Sequence, residues 1–105
     1  MKLETVKRIY KKLNTRNFGG VLTEPKFFFS RMRDDHAKYD GIAMHFNLAD
    51  TKGYIAVTEL IYHEIIHQYI DEFLGFTNYD DHGKEFKKQY NKFSFGVTMD
   101  KTYVL

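Results

Sequence analysis

Residues 57–75 read VTELIYHEIIHQYIDEFLG. On a helical wheel at about 100° per residue, Ile61, Tyr62, Ile65, Ile66, Tyr69 and Phe73 fall in one broad apolar arc. Leu60, Ile70 and Leu74 carry that arc round to the side that holds His63 and His67, leaving Glu64, Gln68 and Asp71 as a narrow polar wedge. A helix that is apolar over most of its girth is a buried one. The spacing therefore predicts a central helix over residues 57–74. Gly75 stands where a C-terminal cap is expected.

Inside this helix lies His63-Glu64-Ile65-Ile66-His67. Positions i and i+4 share a helix face, so two imidazoles can point at one metal ion from a rigid backbone. Glu64 projects about 100° further round the axis. From there its carboxylate can reach a metal-bound water without ligating the metal. The chain has no cysteine, so any metal must be held by histidines and carboxylates. Zinc suits such ligands: it is redox-inert, takes imidazole nitrogen, and lowers the pKa of bound water to about 7. Glu64 would then be the general base. Histidines set amid Leu60, Ile70 and Leu74 would be costly to bury uncompensated, which favours the metal reading over plain surface polarity. A catalytic zinc site needs a third protein ligand. His82 is the foremost candidate, because it opens the next helix after a short loop. His36, His45 and the carboxylate of Asp71 are the alternatives.

Working outward, Leu3, Val6, Ile9, Tyr10 and Leu13 recur at helical spacing and predict an amphipathic helix over residues 3–13. Residues 17–20 end it with turn chemistry. Three consecutive phenylalanines make residues 26–30 a strand, and the polar residues 34–40 read as a loop or hairpin connection. Ile42, Met44, Phe46 and Leu48 alternate with Ala43, His45, Asn47 and Ala49, the period of a half-buried strand. Val21 or the C-terminus could add a third strand. The strand over residues 41–48 is expected at the edge of the sheet, bordering the cleft and pairing with an extended substrate. There His45 or a nearby tyrosine could assist an oxyanion. Asp80 or Asp81 can cap a further helix over residues 83–93, with Phe86, Tyr90 and Phe93 inward. Residues 97–104 could form a strand. The fold class is α+β in one domain over residues 1–105: a small sheet, an N-terminal helix and two metal-bearing helices.

The motif pair His63-Glu64-Ile65-Ile66-His67 and Asp81-His82-Gly83-Lys84-Glu85-Phe86 resembles the SprT-like zinc metallopeptidases, which include the Spartan proteases. Members of that family join an HExxH helix to a downstream His-Gly-x-x-Phe segment that supplies the third ligand. The strand over residues 41–47 resembles the family's strand before the motif. The resemblance implies a zincin-like core, a zinc ion on His63, His67 and His82, and peptide hydrolysis. Many relatives add a cysteine-containing zinc ribbon, which this cysteine-free sequence lacks. No glycine and third histidine follow closely after His67, so Met99 reads as a packing residue and not as a metzincin Met-turn.

Composition frames these readings. At 105 residues with 43% hydrophobic and 17% aromatic content, one core rich in Phe and Tyr is expected. The charged N-terminal segment lacks an apolar signal core, and no apolar run reaches membrane-spanning length. A cytoplasmic protein is the expectation. The net charge of +2 decides little. Lysines and arginines nevertheless crowd two helices, at Lys2, Lys7, Arg8, Lys11, Lys12 and Arg16, then at Lys84, Lys87, Lys88 and Lys92. Such runs are usually solvated faces, with a nucleic-acid surface as the alternative. The leading expectation is an endopeptidase acting on protein or peptide substrates. Beside it stand a zinc-binding, non-hydrolytic adaptor for DNA or protein, and an amidase or peptidase for a small non-protein substrate.

Overall fold

The structure is a computed structural model that describes residues 2–31, 37–47, 54–75 and 82–93, with backbone alone at 54–56. Its elements run α1 (Leu3–Phe18), β1 (Lys26–Ser30), β2 (Ala37–Tyr39), β3 (Ala43–Asn47), α2 (Tyr54–Tyr69) continuing into a π-helical turn (Ile70–Leu74), and α3 (Lys84–Lys92). The protein is α+β, with a small mixed sheet and helices against it. Leu48, His36, Asp80, Asp81, Met99 and the expected strand at residues 97–104 lie outside the described residues.

The central helix is where the apolar arc puts it. Ile61, Tyr62, Ile65 and Ile66 are fully buried, and α2 packs against α1, β2 and α3. It begins three residues before the expected start, and its last turn widens to π geometry. Gly75 closes that turn in the left-handed region, at φ 76°, where its N–H reaches the Ile70 carbonyl. Most of the polar wedge is interior too: Glu64 and Gln68 are buried, and Asp71 is half-buried. Gln68 is satisfied there: its Oε1 accepts from the Tyr10 hydroxyl at 2.7 Å, and its amide donates to Thr23 O and to Glu72 Oε1. This buried network ties α1 and the segment after it to the end of α2.

Helix α1 runs five residues beyond its expected end. Its apolar stripe is interrupted by Asn14, which is nonetheless buried because its side chain both donates to Leu22 O and accepts from Leu22 N, each at 3.1 Å. Phe18 then resumes the buried face.

Two strand expectations are corrected. The polar stretch before Asp40 contains β2, which forms a hairpin with β3 around Asp40-Gly41. Asp40 Oδ1 accepts from Ile42 N at 2.9 Å and Ala43 N at 2.8 Å, and Gly41 takes φ 96°. The two-residue loop is thus Gly41-Ile42, and only its first position, the glycine, needs positive φ. The second correction concerns β3, which is not an edge. The sheet order is β1-β3-β2, with β1 parallel and β2 antiparallel to β3. Its backbone groups face neighbours on both sides, so it cannot take up a substrate strand. Ile42 also falls outside the strand and is 74% exposed, so it anchors nothing. Met44 and Phe46 do join the core, together with Phe27 and Phe29 from β1.

Candidate metal centre

Three histidines meet on one side of α2. His63 and His67 stand one turn apart on the helix, and His82 lies two residues ahead of α3, which packs on α2. Nε2 of His82 is 3.0 Å from Nε2 of His63 and 3.1 Å from Nε2 of His67. Among the described residues, this is the one cluster of His and carboxylate groups arranged to hold a metal ion, with its ligand atoms all within 4.8 Å of one another. His63 and His67 are buried, while His82 is exposed, so the cluster opens to solvent on the His82 side.

The donor set fits a cation. A neutral imidazole nitrogen either donates one proton or accepts at one lone pair. His82 Nε2 faces two other ring nitrogens at once, and no arrangement of single protons serves all three well. A cation placed among them accepts all three lone pairs. Zinc–nitrogen bonds of about 2.0–2.1 Å in a tetrahedron set neighbouring nitrogens about 3.3 Å apart, close to the spacings here. Protonation is opposed at the same place. Burial first, and then His67 and His82 alongside, hold His63 down at about 3, against an ordinary value of 6.5. At neutral pH its imidazole is therefore uncharged, the form in which it can ligate a metal.

Packing holds the rings in place. The Phe86 ring lies 4.7 Å from the His63 ring, 4.4 Å from His67 and 4.9 Å from His82, centroid to centroid. Phe86 is a buried residue of α3, four positions after His82. Tyr90 follows one turn later; it packs edge-on against Tyr62, whose hydroxyl donates to the Tyr90 carbonyl. Sequence periodicity marks Phe86 as inward but does not reveal that one ring touches all three imidazoles. The available signal is its spacing from His82.

Glu64, next in sequence to His63, is buried at 3% exposure. Glu59, one turn earlier on α2, is also buried, and burial raises its carboxyl pKa. Among the alternative ligands, Asp71 accepts the Tyr39 hydroxyl at 3.2 Å and is not in the cluster. His45 pairs with Asp40 at 2.8 Å and stacks on Phe28. It alternates with the core residues Met44 and Phe46, so it lies on the other face of the sheet and does not line the cluster. No helix among the described residues is long and apolar enough to cross a membrane. Comparison of the chain with protein-family models, curated proteins and solved structures finds no match.

Proposed function

We propose that this protein is a zinc-dependent endopeptidase, with zinc held by His63, His67 and His82 and with Glu64 as general base. The convergence of the three Nε2 atoms is the observation that carries this reading; Glu64, next in sequence to His63, is buried. The resemblance of the two motif segments to SprT-like metallopeptidases supports it. A bound zinc ion supplies Lewis acidity and brings the pKa of a coordinated water near about 7. Glu64 takes the proton of the attacking water and passes it to the departing amine nitrogen as the peptide C–N bond breaks. Burial of Glu64 keeps that carboxylate in a low-dielectric setting, where proton transfer is sensitive to its placement. Phe86 holds the imidazoles against rotation. A cytoplasmic location and protein or peptide substrates belong to the same proposal.

The test is cleavage of an unfolded protein substrate by the zinc-loaded chain. Activity should disappear with a chelator and return with added zinc. A second reading rests on the exposed basic residues Lys7, Arg8, Lys11 and Lys12 on α1 and Lys84, Lys87 and Lys88 on α3. It makes the chain a zinc-bound adaptor for DNA. A zinc-loaded chain that leaves every substrate intact, yet binds DNA with steep salt dependence, favours that second reading.

A further inference from the structure

Two complementary polar atoms are buried one helical turn apart on α2. Nδ1 of His63 and Oε1 of Glu59 are both sealed from solvent, and neither has a hydrogen-bond partner among the described residues. Each residue is only 8% exposed. Leaving either atom unpaired in the interior is unfavourable. The two residues are i and i+4, which places their Cβ atoms about 5–6 Å apart on one face. Helical side chains lean toward the N-terminus, so the His63 ring is carried back over the turn that holds Glu59.

The chemistry of the pair is matched. Nε2 of His63 faces the His67–His82 cluster. When Nε2 is a ligand, the proton of the neutral ring sits on Nδ1, which becomes a donor. A glutamate oxygen is an acceptor. The two carboxylates of the final turn are engaged elsewhere: Asp71 by the Tyr39 hydroxyl, and Glu72 by Gln68 and the Thr23 N–H. Oε1 of Glu59 and Nδ1 of His63 are not hydrogen-bonded to each other in this structure. We propose that Glu59 is a positioning residue of the metal centre, whose carboxylate turns to accept the Nδ1–H of His63 when Nε2 takes the ion, and so holds that ring in place. This assignment rests on the metal reading above and deepens it. Second partners of this kind fix the tautomer and raise the basicity of the ligating imidazole.

The experiment compares the wild-type chain with Glu59→Leu and Glu59→Gln. Zinc affinity is read by competition with a chromophoric chelator, and His63 protonation by long-range ¹H–¹⁵N NMR of the zinc-loaded wild type. Glu59→Leu should weaken zinc binding by about 10–100-fold. Glu59→Gln, which keeps an oxygen acceptor, should recover most of that loss. In the wild type, the His63 Nδ1 proton should be present and slow to exchange. Thermal unfolding of each metal-free variant confirms that it folds; if Glu59→Leu does not, the Gln variant and the NMR signal still decide. Wild-type zinc affinity in Glu59→Leu, or zinc bound through Nδ1 of His63, overturns the assignment alone. A wild-type chain that takes up no zinc overturns the metal centre itself, and this assignment with it.

Discussion

Replacing Phe86 by alanine removes the one ring that touches all three imidazoles, and its effect can be sized from the packing. Phe86 is buried among His63, His67, His82 and Tyr90, with centroid distances from 4.4 to 5.7 Å. Deleting a buried phenylalanine ring costs about 3–5 kcal/mol, because lost transfer energy and a residual cavity add. At about 2.1 cal/mol/K of unfolding entropy per residue, a chain of 105 residues loses about 14–23 °C of Tm by that change. The loss should also reach the metal. Helix α3 buries only Phe86, Gln89 and Tyr90, so Phe86 is one of its two aromatic anchors. When α3 undocks, His82 leaves with it, and apparent zinc affinity falls in proportion to the docked fraction. Phe86→Leu keeps most of the apolar volume and should cost under about 1.5 kcal/mol. Circular dichroism melts in chelator give the stability change, and chelator competition gives the affinity. A Phe86→Ala chain with wild-type Tm and wild-type zinc affinity would refute the idea that this ring organises the site.

Glu64→Gln should keep zinc and fold while lowering turnover on an unfolded protein by about 10²–10⁴-fold, since the amide cannot accept the water proton; near wild-type turnover removes Glu64 from the reaction. Tyr10→Phe strips the hydroxyl that donates to buried Gln68 Oε1 and should destabilise by about 1–3 kcal/mol in urea unfolding. Its zinc affinity should stay unchanged, and a loss of zinc in this variant would contradict a purely structural role for the network. Burial acts to raise the pKa of Asp40, but hydrogen bonds from His45, Ala43 N and Ile42 N together hold it down at about 2. Its folded pKa lies below the unfolded 3.8, so its stabilisation is present above pH 3.8 and is lost as pH falls toward 2. Because Asp40 is 43% exposed, the contribution should stay under about 1 kcal/mol. The stability gap between wild type and Asp40→Asn should therefore close between neutral pH and pH 2, and a gap that persists at pH 2 counts against the pairing.

Much of the histidine cluster is legible in the sequence because it is local. His63 and His67 share a helix face by spacing alone, and the apolar arc of Ile61, Tyr62, Ile65 and Ile66 marks that helix as buried. The strand over residues 26–30 is legible for the same reason. What stays hidden depends on contacts distant in sequence. The extension of α1 past Leu13 depends on Asn14 finding the Leu22 backbone, and a buried amide with a remote partner looks like a surface residue in a sequence. β2 is three residues long, too short for any period, although Gly41 at the first loop position is a usable sign of its hairpin. That β3 lies between its neighbours is a matter of strand order, which alternation does not encode. The contacts of Phe86 with three imidazoles likewise follow from how α3 seats on α2.

Zinc stoichiometry and affinity, measured side by side in the wild-type chain and in His82→Ala, test the metal centre most directly. The exposed His82 joins the two buried histidines from a separate segment, so its removal should spare the core while taking one ligand from three. The prediction is one tightly held zinc per wild-type chain, and markedly weaker binding in His82→Ala with the fold intact. A wild-type chain without zinc, or undiminished affinity in His82→Ala, would contradict it.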